Sequence, residues 1–443
     1  MTDTQTTAPG APVAAKPRGN SAVNLLKFGP DPLKFMTELA QTDGLGIVAV
    51  RTGNLTLRLI TDPALIKRTI ELDDPPTLGR GRFTRVTSWY GGEGIFVKNS
   101  GPEYARQRDD LGRPIWDDPQ TPEIARRRTE AMSAAWREGE PVDVWHAFRR
   151  LHFATDWEQL TGEEADEPVL RALETGDVWQ PKLIQPGGTA LWKGPGGRGA
   201  RKASALLDAR VDALIKRRRE TPDPGAADQI SRLVRQAAED GVTTDEQIRA
   251  TVKLQFPDPI HDFLTWIFWA LARNRNVEER WLQEIDEVLA GAPATAADTK
   301  RLPYVHRVLL ETMRLYPPAF GIFREALQDL DIDGHLVPAG DYVVMSQWVT
   351  HRDPRLWEDP LRFDPERWAE GAARPDGMAY FPFSSGPHAC HGSQQALLEA
   401  TLMSVTVSQR WRLKAETDKE PAMTLGIGLQ PKKPLRLTPA ARF

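Results

Sequence analysis

The chain of 443 residues contains one cysteine, so no internal disulfide can brace it, and a reducing compartment, the cytoplasm, is the expected home. Long apolar runs are also missing. The densest, FLTWIFWALA from Phe263 to Ala272, is too short to span a bilayer, which points to a soluble protein with no membrane partner. The first residues, MTDTQTTAPGAPVAAKPRGN, lack the apolar centre of a secretion signal and read as a disordered leader over residues 1–21. Neither sign of charge dominates: 57 Lys and Arg oppose 61 Asp and Glu, a net charge of −4 that gives no footprint for nucleic acid. Repeats and interdomain linkers are absent after residue 20, so residues 22–443 are expected to form one domain. What remains is ordinary globular material, 40% hydrophobic and 27% charged, too apolar for a disordered chain.

β-Like runs come early, GIVAVRTG and LTLRLI between Gly46 and Ile60, and return in LDIDGHLVPAGDYVVMSQW. Between Thr121 and Tyr316 apolar residues recur at spacings of three and four, as in ARKASALLDARVDALIKRRRE and VEERWLQEIDEVLA. A last helix is expected in QQALLEATLMSVTVSQRW. The fold class is therefore mainly α with small β-sheets. GPGGRG, from Gly194 to Gly199, has the spacing of a phosphate-cradling loop. TALWK precedes it where a β-branched strand is needed, so it is expected to be a mobile loop between two helices.

The lone thiol, Cys390, lies in FPFSSGPHACHG, just before the last helix. A single cysteine is commonly a small buried hydrophobe. Here Gly386 and Gly392 are expected to permit backbone angles and close approaches that side chains would block, and Phe383 offers an aromatic face. The helix beginning near Gln394 would aim its free N–H groups at the sulfur, favouring thiolate. A thiolate without partner cysteines or a histidine cluster is poor zinc chemistry but suits an axial bond to haem iron.

The pattern F-x-x-G-x-x-x-C-x-G, filled by Phe383, Gly386, Cys390 and Gly392, resembles the haem-binding loop of the cytochromes P450. ETMR, from Glu311 to Arg314, resembles that family's E-x-x-R, and FDPERW, from Phe363 to Trp368, the segment whose arginine joins the pair. Order and spacing agree, and the similarity of pattern extends over about residues 22 to 438. Glu311 and Arg314 share a helix face, and Pro317-Pro318 ends the helix. Alone they would form a surface ion pair worth a few tenths of a kcal/mol. The resemblance implies instead a buried structural network completed by Arg367.

The same resemblance implies a P450 fold, a soluble bacterial-type enzyme, haem b (iron protoporphyrin IX) bound through Cys390, and monooxygenation of a small molecule. Haem propionates need cations or hydrogen-bond donors. Position assigns Arg108, Arg324 and His388 to them, with Tyr104 where the family has His or Trp. Tyrosine can donate a hydrogen bond but carries no positive charge.

The main departure lies on the central helix, TTDEQIRATVKLQFPDPIHDFLTWIFWALARN, which opens with a capping box, Thr244 and Gln247. QFPDPI covers the oxygen-activation segment, where the family usually reads Ala/Gly-Gly-x-acid-Thr-Thr. Asp258 retains the acid, Pro259 takes the threonine's place, and no Ser or Thr lies between Lys253 and Leu264. Two prolines are expected to kink the helix and free the carbonyls of Lys253 and Gln255. Asp258 is then the remaining proton relay, the alternative being a helix-capping acid. Water, a substrate hydroxyl or peroxide are alternative routes around the missing alcohol.

By position the substrate pocket is walled by Val86, Trp89, Tyr90, Gln255, Phe256, Ala319, Phe320, Ile322, Leu425 and Ile427. Mostly apolar and aromatic, this set suits an apolar or aromatic ligand. The expectation is oxidative tailoring of a secondary metabolite by a monomer fed with electrons from a separate ferredoxin or flavodoxin and its reductase. Ring closure, aryl coupling or desaturation without oxygen insertion is the alternative, and a haem-thiolate binding protein without turnover a further one.

Overall fold

The computed structural model describes residues 13–29, 31–74, 77–81, 104–106, 108, 120–184, 188–256, 258–375, 377–426 and 428–443. Backbone contacts sort the chain into two units: Met1–Gly81 with Gly321–Pro360 and Pro375–Ala389, and Arg82–Phe320 with Leu361–Arg374 and Cys390–Phe443.

The first unit is built on a five-stranded sheet in the order Ile47–Thr52, Leu55–Ile60, Tyr342–Met345, Ile322–Ala326, Leu78–Gly79. The first two strands form a hairpin with Thr52 opposite Leu55, closed through Gly53 at φ 59, a backbone state glycine adopts without strain. Leu55–Ile60 then pairs in parallel with Tyr342–Met345, and Ile322–Ala326 runs antiparallel to that strand. Ile60, Val343 and Met345 bury against Ile66 and Ile70 of the helix Pro63–Glu71, which Asp62 caps by accepting the Ala64 N–H. Residues 13–21, within the expected leader, include backbone bonds to the rest of this unit. Val13 donates to the Gly334 carbonyl at 3.1 Å, Arg18 to Ala49 at 2.9 Å, and Ser21 begins the helix Ser21–Phe28. Composition alone hides this, because backbone pairing with a sheet needs no apolar side chains.

The second unit is mostly helical. Helices appear where the three-four spacing places them, at Glu167–Ile184, Arg198–Glu220, Gln229–Asp240, Arg275–Leu289 and Ser393–Arg410. GPGGRG is a tight turn, Pro195–Gly197, leading into Arg198–Glu220, so its place between two helices is as expected. Phe153, Trp157, Leu173, Leu207, Val211, Ile230 and Ile248 form one apolar core. The helix Ile260–Arg273 is buried on every side from Ile260 to Leu271, which explains an apolar run that never needed a membrane. Among the described residues, no helix is long and apolar enough to cross a bilayer.

The central helix is interrupted rather than kinked, a correction to the sequence reading. The capping box at Thr244 and Gln247 forms, and Asp245–Lys253 is helical. The chain then leaves the helix until Ile260–Arg273 begins. The Gln255 side-chain amide donates to the Thr251 carbonyl at 3.2 Å. A proline at 259 lacks the N–H that would continue the ladder, and the local solution is two helices with a gap.

Candidate functional site

Cys390 sits where a short turn, Gly386–His388, gives way to the helix Ser393–Arg410. Gly386 has φ 68, and an added Cβ would lie 2.8 Å from Ile70 Cγ2, so both conformation and space require glycine there. Gly392 differs from the expectation: at φ −87 it adopts angles open to any residue. Cys390 is solvent-accessible. Burial by surrounding protein nevertheless pushes its thiol up, against the Gly392 N–H and the Arg108 charge, which favour thiolate, while Asp258 adds to the rise. The helix terminus alone therefore does not yield a thiolate; a bound metal ion would deprotonate the thiol outright.

Four residues were expected to serve propionates. In the second unit, Arg108 donates to the Tyr104 hydroxyl at 3.4 Å, and Tyr104 is buried with Leu254. As acceptor from an arginine, the phenol keeps its own hydrogen to donate elsewhere. In the first unit, Arg324 is buried and pairs with Asp73 at 2.6 Å. His388 Nδ1 lies 3.3 Å from Nη2 of Arg80, a buried cation the sequence reading missed. Arginine has no acceptor, so Nδ1 must be the lone-pair nitrogen and Nε2 the protonated one. Arg80 stands in an unremarkable TLGRGR stretch, and no local signal distinguishes it.

The network around Glu311 is complete within the second unit. Arg314 donates to both of its oxygens, at 2.9 and 2.8 Å, and neither side chain is exposed. The Asp364 N–H and Trp368 Nε1 add bonds of 2.9 and 3.0 Å, while Arg367 Nε stands at 3.5 Å. FDPERW thus contributes its tryptophan and a backbone amide more closely than its arginine. Trp368 was legible as an indole needing a buried acceptor.

At the helix gap, Asp258 Oδ1 accepts the Ile260 N–H at 2.8 Å. It is the capping acid of the blander reading, and it also faces Nε2 of the fully buried His152 at 3.5 Å. Burial raises the Asp258 carboxyl to about 6; the Coulombic pull of His152 works against that rise. Pro259 and Asp262 Oδ2 crowd Gly428, where an added Cβ would lie 2.7 and 2.3 Å away, so the hairpin Met423–Leu425/Leu429–Pro431 reaches this segment only because residue 428 has no side chain.

The proposed pocket residues divide. Phe256 is buried in the core, stacked on Trp157 at 6.0 Å, and Gln255 is engaged with Thr251. Ala319, Phe320 and Leu425 are half-buried in the second unit, while Ile322 packs against the sheet core of the first. Val86, Trp89, Tyr90 and Ile427 lie outside the described residues.

The comparisons with known proteins agree with one another. The family model for Cytochrome P450 matches residues 162–438. Cyclooctat-9-en-7-ol 5-monooxygenase of Streptomyces melanosporofaciens is 30% identical over 406 residues, which cover 86% of this chain and 85% of that protein. Pentalenene oxygenase of Streptomyces avermitilis is 28% identical over 88% of each. The crystal structure of the cytochrome P450DA haem domain matches with a TM-score of 0.83 at 22% identity, covering 99% of both chains, a likeness of fold. The family these matches define is one of haem-dependent oxidoreductases. The chain belongs to the cytochrome P450 family and is an oxidoreductase of the monooxygenase type.

Proposed function

We propose that Cys390 is the axial thiolate of a haem b and that residues 22–443 act as one haem domain oxygenating an apolar small molecule of secondary metabolism. The observation that carries this is the presentation of Cys390, an accessible sulfur in a desolvated setting, on a loop whose Gly386 tolerates no side chain. Within the second unit the donors fit haem: Cys390 is one soft sulfur outside any cluster of metal ligands among the described residues, and Arg108 is a cation of the kind propionates require. When bound, a haem thiolate supplies dioxygen reduction and oxygen transfer, with thiolate donation favouring O–O cleavage.

Arg108, Tyr104, Arg324 and His388 are assigned to the propionates by their place in the family pattern. Glu311, Arg314 and Arg367 are structural. Asp258 holds and releases a proton at its carboxylate oxygen beside Pro259, which has no hydroxyl to pass one on. Ala319, Phe320 and Leu425 of the second unit are half-buried apolar side chains, consistent with a ligand held by shape more than charge. The names of the Streptomyces relatives favour a terpene-type hydrocarbon skeleton as substrate class. Electrons come from a separate ferredoxin or flavodoxin, and the enzyme works as a cytoplasmic monomer.

Incubation with a terpene panel under labelled dioxygen tests the reading, the expected result being one labelled oxygen in the product. Loss of two hydrogens without label would replace it with ring closure or desaturation, which the missing alcohol at position 259 favours as second reading. Pro259→Thr is expected to raise product formed per electron consumed; an unchanged ratio would place proton delivery elsewhere.

A further inference from the structure

Where helix Val144–Thr161 meets the central segment, the second unit buries a set of ionisable groups that no part of the P450 pattern calls for. His152 has no exposed surface, and its two ring nitrogens approach one carboxylate each: Nδ1 lies 3.3 Å from Asp156 Oδ1 and Nε2 lies 3.5 Å from Asp258 Oδ1. His261 stacks on the same ring, centroids 5.4 Å apart. Beyond it, His261 Nε2 faces Asp262 and Asp177 at 3.4 and 3.7 Å, and Arg149 pairs with Asp177 at 3.0 Å. Trp145 donates to Asp262 at 2.8 Å. From helix Ser393–Arg410, Glu399 closes the cluster, holding the amides of Gln159 and Gln395 at 2.8 and 2.9 Å.

Charge balance assigns the proton. Asp156, Asp177, Asp262 and Glu399 are buried carboxyls, Asp258 is half-buried, and Arg149 is the permanent cation among these groups. Several like charges taken out of water together are costly unless a cation joins them or some are protonated. His152, with a carboxylate at each nitrogen, is the place for that cation. His261, stacked on it, is not, since two imidazoliums at that separation repel. One ring nitrogen of His152, one oxygen of Asp156 and one of Asp258 lie within 4.8 Å of one another, a spacing at which the two acids need a shared cation, and the imidazolium is the cation the chain itself supplies.

We infer that His152 is a positioning residue for oxygen activation: its imidazolium, anchored by Asp156, holds the Asp258 carboxylate at the gap in the central helix and sets when that acid carries a proton. The inference rests on the reading of Asp258 as the proton-carrying acid. It holds the acid in place at a segment where no hydroxyl neighbours it. When Asp258 gives up its proton, the resulting carboxylate is stabilised by the imidazolium charge 3.5 Å away, and the next proton enters at the Asp258 side chain, which keeps 27% exposure. Charge is conserved, since one proton leaves and one returns while His152 stays cationic. Burial opposes a charge on His152, but Asp156 and Asp258 outweigh it and raise the imidazole to about 10. His261, by contrast, is held well below its usual range by burial and by the His152 charge.

Nitrogen-15 NMR of histidine-labelled protein, in the diamagnetic ferrous carbon monoxide complex, reads the proton directly. One imidazole, identified by its loss in His152→Gln, is expected to stay doubly protonated from about pH 7 to about 9, where an ordinary histidine is neutral. Asp156→Asn is expected to move its titration to lower pH. In turnover, His152→Gln is expected to shift the midpoint of product per electron against pH upward, because the cation that favours ionised Asp258 is gone, and Asp258→Asn to remove that limb. A neutral His152 at about pH 7, an unshifted midpoint in His152→Gln, or a metal other than iron bound in proportion to protein would each overturn the proposal. If Asp258→Asn leaves coupling intact, the underlying reading of Asp258 fails as well. If the wild type shows no thiolate signature with carbon monoxide, the haem assignment fails first, and the three results are distinct. Should His152→Gln not fold, the NMR titration of the unmodified protein with Asp156→Asn still decides.

Discussion

Arg314 grips Glu311 with two parallel N–H donors, Nε to Oε2 at 2.9 Å and Nη2 to Oε1 at 2.8 Å, and both side chains are fully buried. Two further donors, the Asp364 amide and the Trp368 indole, complete the carboxylate's shell. Removing the charge while keeping the shape leaves Arg314 buried without its counter-ion. Glu311→Gln is therefore expected to lower unfolding free energy by about 3–5 kcal/mol, measured by denaturant titration. A loss below about 1 kcal/mol, the scale of a surface pair, would contradict the network's role.

Gly386 combines φ 68 with a 2.8 Å approach of any added Cβ to Ile70. Gly386→Ala is expected to cost about 1–3 kcal/mol from the left-handed backbone alone, with the contact added to that. Pairing it with Ile70→Ala relieves the contact and leaves the backbone cost. Thermal unfolding of the two variants separates the parts; full recovery in the pair would mean that conformation contributes nothing.

His152 gives stability a pH dependence of definite sign. Its folded value, about 10, lies above the ordinary imidazole value of 6.5, so its contribution is complete below about pH 6.5 and fades as pH rises toward 10. Burial likewise raises Asp258 and Asp177 to about 6 and Glu399 to about 7, so their contributions fade in more acidic windows and are spent near neutrality. Melting temperature is expected to fall steadily between about pH 7 and about pH 10, and to do so less in His152→Gln. Equal slopes in the two proteins would remove His152 from the account.

Local periodicity and short motifs carried much of the structure. The helix boundaries, the capping box at Thr244 and the Glu311–Arg314 pair all depend on residues close in sequence, where spacing alone determines which side chains share a face. Arg80 beside His388 and His152 beside Asp258 are separated by hundreds of residues or about a hundred, and a single sequence gives no sign of such meetings. His152 in AFRRLHFATDWEQL reads as part of a polar helix face; only the fold shows that this face turns inward. The break after Lys253 exceeded the expected kink, leaving two helices with a gap in which the Gln255 amide takes the Thr251 carbonyl. The pocket candidates were assigned by position, and Phe256 shows the limit of that method, since its ring is stacked on Trp157 in the core.

The most direct measurement is the visible spectrum of the reduced carbon monoxide complex, recorded for the unmodified protein and for Cys390→Ser. The account predicts a thiolate signature in the first and its loss in the second with haem still bound. An identical spectrum in both proteins would show that another atom holds the iron.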